Sequence, residues 1–280
     1  MSANADEDHT ALRFAAAHEA ALCTLVGIDG SFSRRLGAQL AIARDGRAMG
    51  SLADGCLERE LALQADSARK EGKARMVRYG RGSPYIDFRL PCGSGLDILI
   101  DPSPARADLI AAVAALDARR PAILRLASMT GCLLRERKFV PELRLLVLGS
   151  GLEAAALLRL ATAYGIQVEV TGPEQGLALG QIPQIAADAW TAIVLLFHDH
   201  EWEREVLAWA LATEAPYIGA LGGRTAREER QAWLRHTGLN AAAIDRVRSP
   251  VGLISCARDA RVLALSVLAE VVAQYEDRRI

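Results

Sequence analysis

Four consecutive apolar residues, Leu145, Leu146, Val147 and Leu148, run directly into Gly149-Ser150-Gly151, and an alanine-rich helical pattern begins at once. An uninterrupted apolar run of this kind marks a strand covered on both faces, as in a parallel sheet between helices. Gly149 lets the backbone turn tightly off that strand, and Gly151 admits a ligand to the backbone without a Cβ in the way. Ala154 permits close packing of helix on strand. The spacing is G-x-G-x-x-A, and the helix behind it aims unbonded N–H groups at an anion held in the turn. The same glycines also suit a turn needed only for packing, so the flanking sequence has to decide the ligand.

The text on either side supports an α/β reading. A helix is expected over 152–164, a strand over 167–171, a second fully apolar strand over 191–197 and a helix over 201–212. A further strand over 217–221 leads into Gly222-Gly223 and a helix over 225–236. A last helix, from 259 to about 274, is apolar through Val262, Leu265, Leu268 and Val272. Strand–helix alternation with short connections implies a parallel sheet wrapped on both faces.

A dinucleotide site of this type also wants an acid at the end of its second strand to hold ribose hydroxyls. Here that strand ends in Thr171-Gly172; Glu169 lies mid-strand, and Glu174 comes beyond Pro173. The phosphate-cradling half of the fingerprint is present and the ribose-gripping half is not. His198-Asp199-His200 follows the apolar strand 191–197, where side chains face the crevice of an open sheet. A histidine there serves an oxyanion or a proton, whereas Asp199 equally suits a helix cap. Gly219-Ala220-Leu221-Gly222-Gly223-Arg224 repeats the arrangement at the next strand end, with a guanidinium either for an oxyanion or simply starting a helix.

The first half reads differently. After a short helix over 10–19, strands are expected over 21–28, 37–43 and 48–51, with Asp45-Gly46 as a hairpin turn. A helix over 55–70 carries Leu57, Leu61, Ala65 and Ala68 on one face. Short strands follow over 74–79, around 87–90 and over 96–100, then a helix over 105–118 and a strand over 122–127. The mixed, charged stretch 128–143 is read as a linker, giving domains over 1–127 and 144–280. Five widely spaced cysteines, without C-x-x-C, argue against a disulfide framework. Two stand in unusual company. Gly55-Cys56-Leu57-Glu58 puts a thiol at the mouth of a helix, where the dipole favours thiolate, and Cys92-Gly93-Ser94-Gly95 puts another in a loop open to close approach. With Arg34 in a third loop after Gly30, these suggest a pocket handling an anion or sulfur.

In order, these residues resemble the XdhC/CoxI family, accessory factors of xanthine dehydrogenase-like molybdenum enzymes. The resemblance runs from about residue 20 to 274. It rests on Gly30-Ser31 with Arg34 and Gly37-Ala38, on Gly50-Ser51 through Glu58, and on Cys92-Gly93 with Gly95. In the second half it rests on Gly149-Ser150-Gly151, His198-Asp199, Tyr217 through Gly222 with Arg224, Pro250 to Leu253, and Ser266 to Glu270. The sequence departs from the family pattern at Thr171-Gly172, at Gly223 where serine is common, and at Asp54 before Gly55-Cys56.

The resemblance implies an α/β fold, a mixed N-terminal XdhC-type domain followed by a Rossmann-like parallel-sheet domain. It implies a chaperone that binds and protects molybdenum cofactor, bare or nucleotide-extended. The chaperone delivers it, with sulfuration by a cysteine desulfurase, to the large subunit of a xanthine dehydrogenase or CO dehydrogenase-type enzyme. A homodimer and an accessory role without turnover chemistry, hence no catalytic residue, are implied with it. Candidate cofactor contacts are Arg34, Cys56, Glu58, Cys92, Gly93, Gly149, Ser150, Gly151, His198, Asp199, Gly222 and Arg224, with Cys56 and Cys92 as transient molybdenum or sulfur contacts. The competing reading is an NAD(P)-dependent oxidoreductase built on the same Rossmann domain. A net charge of −1 with only 5% aromatic residues gives no reason to expect nucleic acid. No apolar run approaches the ~20 residues of a membrane span, so a cytoplasmic location is expected.

Overall fold

The computed structural model describes residues 7–52, 57–83, 93–132 and 134–279. The chain splits into two compact units, Met1–Pro141 and Glu142–Ile280.

The first unit is built on a five-stranded antiparallel sheet. Its strands are β1 (Ala20–Asp29), β2 (Gln39–Ala43), β3 (Ala48–Gly50), β4 (Arg75–Gly80) and β5 (Gly95–Asp101), ordered β3-β2-β1-β5-β4. Successive side chains of a strand point to opposite faces, and here both faces are covered. Ala21, Cys23 and Leu25 of β1 pack with Leu61, Ala65 and Ala68 of α2 (Glu58–Glu71). Ala20 and Leu22 pack with α1 (Glu7–Ala17) and α3 (Arg106–Asp117). That is why β1 reads as continuously apolar although its sheet is antiparallel. Leu57, Leu61, Ala65 and Ala68 form the buried stripe of α2 as their spacing predicts. The strand expected around 87–90 lies outside the described residues.

The segment 128–143, expected as a connection, contains a strand. β6 (Ala122–Arg125) and β7 (Glu136–Phe139) form a two-stranded ribbon in which Ala122 faces Phe139 and Arg125 faces Glu136. Its charged residues are those of a ribbon with one wet face. Ala122, Leu124 and Phe139 point into the core shared with α1 and α3, and Arg137 donates from Nε to the Gly37 carbonyl at 2.9 Å.

The second unit is a doubly wound parallel sheet of β8 (Arg144–Gly149), β9 (Gln167–Thr171), β10 (Thr191–Leu196), β11 (Tyr217–Ala220) and β12 (Val247–Arg248), ordered β12-β11-β10-β8-β9. Leu145 and Val147 face α4 (Leu152–Tyr164) and α8 (Ala260–Arg279). Leu146 and Leu148 face the other way, into the core shared with α5 (Glu203–Ala212), α6 (Arg224–His236) and α7 (Ala241–Ile244). The chain leaves β8 for β9 on one side and returns to β10 on the other. The strand order therefore reverses between β8 and β10, which places the ligand crevice of an open sheet at their C-terminal ends. No helix among the described residues is long and apolar enough to cross a membrane.

The last helix is rotated from its expected register. Val262 and Leu265 are exposed, and the buried stripe is Leu263, Val267 and Val271 with Ala264 and Leu268. The cause is polar. Ser266 and Glu270 turn inward to hold the segment 252–254: Glu270 Oε2 accepts from Gly252 N at 2.7 Å and from Tyr217 Oη at 2.6 Å, and Ser266 Oγ accepts from Ile254 N at 2.6 Å. Gly252 has φ 97° and no room for a Cβ against Ser266, so only glycine fits there. Burial and the Glu270 carboxylate both push the Tyr217 phenol upward, so it remains a donor. Glu270→Ala orphans two donors and should destabilise the protein by about 2 kcal/mol. Thermal unfolding should show a lower midpoint, and Glu270→Gln, which keeps an acceptor, should recover part of the loss.

Candidate functional site

Gly149 ends β8 in register with Leu196 of β10. It has φ 137°, and a Cβ there would lie 2.7 Å from the carbonyl carbon and oxygen of Leu196. Any side chain would drive the two strand ends apart. Gly151 caps α4 without a side-chain bond, and the first helical bond runs from Ala155 N to Gly151 O at 3.1 Å. The N–H groups of residues 152–154 therefore have no intrahelical acceptor and form an anion cradle at the positive end of the helix. Ser150 is half-buried beside them.

Two side chains meet over this cradle. His198 follows β10, and its Nε2 lies 3.4 Å from Oε2 of Glu153, the second residue of α4. The Glu153 carboxylate also lies 3.7 Å from the place a Cβ of Gly151 would take. His198 was expected at the crevice; Glu153, a variable position of the G-x-G-x-x-A spacing, was passed over. Its signal was an acid in the first turn of a helix, where the macrodipole favours negative charge. Asp199 was expected to cap the next helix, but α5 has Trp202 as its N-cap without a side-chain bond; Asp199 Oδ1 instead accepts from Glu201 N at 2.9 Å in the turn before it.

At the next strand end, Gly222 has φ 118° and lies beside His200 and Arg230, while Arg224 opens α6 in an exposed position. The neighbouring network was not read from the sequence. Arg230 donates to both carboxylate oxygens of Glu203, Nε to Oε2 at 2.9 Å and Nη2 to Oε1 at 3.0 Å. It also donates to Ser249 Oγ and to the Leu221 carbonyl, both at 2.8 Å. Both charged side chains are 4% exposed. His200 Nδ1 stands 3.2 Å from Glu203 Oε2. This bidentate pair ties α5 to α6 and fixes the turn that carries Gly222. The available signal was spacing: Arg230 precedes the buried Leu234 by one helical turn, so it falls on the buried stripe of α6.

In the first unit, Arg34 Nη2 donates to Ser51 Oγ at 3.2 Å, and Ser51 Oγ reaches Glu58 Oε1 at 3.4 Å. Glu58 Oε2 accepts from Leu57 N at 3.2 Å, closing the first turn of α2. Ser94 Oγ donates to the Ser31 carbonyl. The loops holding Gly30, Arg34, Ser51, Glu58 and Gly93 thus gather at one end of the sheet. Beneath them Arg78 bridges Asp97 at 2.9 Å and Asp29 at 3.1 Å, a tie across β1, β4 and β5 that the sequence separation concealed. Cys56 and Cys92 lie outside the described residues, one position before Leu57 and Gly93. Among the described residues, no group of three His, Cys, Asp or Glu side chains is placed to hold a metal. Cys23 and Cys132 are buried and Cys256 is exposed.

An antiparallel α/β unit followed by a Rossmann-like parallel-sheet unit, with a glycine cradle at the strand reversal, defines a two-part protein with anion-binding geometry in its second part. Residues 14–80 match the XdhC and CoxI family, and residues 145–271 match the XdhC Rossmann domain. The chain is 36% identical over 287 residues to the molybdenum cofactor insertion chaperone PaoD of Escherichia coli K12, covering 96% of this chain and 89% of that protein. The chain belongs to the XdhC and CoxI family. It also shares the fold of a protein from Bacillus halodurans described as a xanthine dehydrogenase, with a TM-score of 0.70 at 20% identity over 96% of each chain.

Breaking a buried ion pair from one side costs about 3–5 kcal/mol, because the other charge is left uncompensated. Arg230→Ala should therefore destabilise the protein by about that amount in denaturant titration, while Arg230→Met with Glu203→Leu should recover much of the loss. The thiols give a second check. Burial pushes Cys23 from 9.0 to about 12, so the unfolded chain releases this proton at lower pH than the folded one. Stability from this source is intact below pH 9 and falls as pH rises from 9 toward 12. In a Cys56→Ser/Cys92→Ser variant, a thiol reagent at pH 8 should label one cysteine in the native protein, Cys256, and two more on unfolding.

Proposed function

We propose that this protein is a molybdenum cofactor-binding insertion chaperone. It holds the cofactor as cargo and delivers it to the large subunit of a xanthine dehydrogenase or CO dehydrogenase-type molybdoenzyme. A cysteine desulfurase is its second partner in sulfuration, and it works as a homodimer in the cytoplasm, without turnover chemistry of its own. The candidate contact residues fall in both the N-terminal domain, residues 1–127, and the Rossmann-like domain, residues 144–280.

The observation that carries this reading is the end of β9. A Cβ on Gly172 would stand 2.5 Å from the Gly149 carbonyl oxygen, so the strand-end position that holds ribose in a dinucleotide enzyme has no room for an acid. The cradle suits a phosphate whose remaining half is gripped by something other than a ribose carboxylate. Molybdenum cofactor meets that description, being a pterin with a phosphate and a dithiolene-bound metal. The chain-wide likeness to an insertion chaperone points the same way.

The roles of this chain's residues follow from their chemistry. The N–H groups of residues 152–154, with Ser150 and the glycines, take the phosphate. Arg224 supplies a guanidinium for an oxyanion. Arg34, Glu58 and Gly93 flank the loops of Cys56 and Cys92, whose thiols serve as transient molybdenum or sulfur contacts. Asp199 and Gly222 shape the crevice turns, and His198 Nε2 stands 3.4 Å from Glu153 Oε2 beside the cradle. A carboxylate there competes with phosphate for the same helix end, which suits a carrier that must release its cargo.

The test is binding and transfer with purified protein. It should take up about one molybdenum cofactor per chain and activate a cofactor-free hydroxylase. Glu153→Gln, which removes a like charge near the phosphate, should tighten binding several-fold and slow transfer. Retention of both properties by a Cys56→Ala/Cys92→Ala variant would remove the thiols from the mechanism. Micromolar binding of NADH or NADPH, with no cofactor uptake, would favour the NAD(P)-dependent oxidoreductase instead.

A further inference from the structure

The glycine positions Gly30 and Gly95 of the first unit lie at the Asp29 end of β1. At the Ala20 end, a full ten-residue strand and roughly 30 Å away, the same unit holds a cleft of about 550 Å³. Nothing in the proposed chaperone site uses it. Its charged lining is lopsided: Arg44, Arg69 and Arg106 are set against Glu19, with His18 beside them. Asp66 offsets Arg69 from outside the lining at 2.7 Å. In the lining itself three guanidinium groups face one carboxylate, while Asp66, Asp101 and Asp108 stand outside it. Ala105 caps α3 without a side-chain bond and Arg106 is its first residue, with Asp108 as the acid of that first turn.

The three arginines are also unequal in what they have left to give. Arg69, with a side chain 12% exposed, is committed to Asp66 and to the Ile42 carbonyl and supplies charge alone. Arg106 uses Nε on the Ala16 carbonyl at 3.2 Å, and Arg44 uses Nε on Glu19 at 3.2 Å. Among the described residues, the terminal nitrogens of Arg44 and Arg106 have no protein acceptor, so two planar donor pairs remain for an oxyanion. Ala15, Ala20, Leu109, Pro102 and Pro104 give the cleft an apolar side. A bare ion would not need that side or that volume, which falls in the range of small-molecule sites.

We propose that this cleft binds a small molecule carrying a phosphate ester, independently of the cradle in the second unit. The phosphate takes the free ends of Arg44 and Arg106 at the start of α3, and the organic part lies against Leu109 and the prolines. Arg69 adds positive charge, and Glu19 is the group a ligand displaces from Arg44.

Calorimetric titration of the full chain with AMP, adenosine and inorganic phosphate tests this. AMP should bind, inorganic phosphate should bind more weakly, and adenosine should not bind. Arg44→Gln and Arg106→Gln should each weaken AMP about tenfold or more, as loss of a charged hydrogen bond does. Glu19→Gln should strengthen it, and binding should fall as salt rises. Because Arg106 also bonds the end of α1, Arg44→Gln, at an exposed position, is the variant on which the result rests. AMP binding unchanged in Arg44→Gln would place the ligand elsewhere and overturn the proposal. So would the absence of binding by both AMP and inorganic phosphate to the parent protein.

Discussion

A Cβ on residue 149 would press on the backbone of Leu196, and the second unit depends on that contact. β8 and β10 are neighbours because the chain crosses over between them, and their C-terminal ends must diverge to open a crevice. With glycine at 149 the backbone of β8 bends away while the strands remain paired up to that residue. The bend sets the start of α4, and the start of α4 sets where its free N–H groups point. His198 comes off β10 at the same level, which is how a residue 45 positions after Glu153 arrives within 3.4 Å of it. Gly172 meets the same turn from β9, again backbone against backbone. Three strand ends therefore meet backbone to backbone at one point, and at Gly172 there is no room for a side chain.

What was legible in the sequence was mainly whatever repeats at a fixed period. The apolar runs of β8 and β10 and the buried stripe of α2 are local patterns written in neighbouring residues. The last helix shows where that reading fails. Val262 and Leu265 look like core, but the helix also has to turn Ser266 and Glu270 inward, and the polar contacts with Gly252, Ile254 and Tyr217 fix its rotation. A helix apolar on most of its faces carries little information about which face is inside. The strand Glu136–Phe139 was hidden for a related reason, since a ribbon with a single buried edge has few apolar residues to announce it.

The family-pattern residues divide by physical role. Gly252, Ser266 and Glu270 are architectural: Glu270 accepts from Gly252 N and Tyr217 Oη, and Ser266 Oγ accepts from Ile254 N. Gly149, Gly151 and Gly222 have positive φ at strand ends, and Arg224, exposed, opens α6 two residues after Gly222. Arg34 and Glu58 are joined through Ser51, which stands 17 residues after one and seven before the other. The Arg230–Glu203 pair belongs to no pattern read from the chain, yet it fixes the turn at Leu221 more firmly than any of them. A motif records residue types at intervals, whereas burial of a charge is decided by elements distant in sequence. Helix α6 is dominated by charged residues, and only its rotation against α5 distinguishes Arg230 from its exposed neighbours.

Glu153 sharpens the chemistry of the cradle more than any glycine does. An empty helix N-terminus attracts anions without discrimination. With a carboxylate half-enclosed beside it and an imidazole within 3.4 Å, the positive end already has an internal counter-charge. An incoming phosphate meets that carboxylate at close range, in surroundings less screened than bulk water. The encounter is favourable only if Glu153 moves off or if further cations arrive with the ligand's other contacts. His198, exposed and attached to the neighbouring strand, is the nearest group that can follow the carboxylate as it moves. On the proposed reading, affinity at such a site depends on the rest of the ligand as much as on its phosphate, and a simple phosphate would be disfavoured although the backbone geometry would accept it.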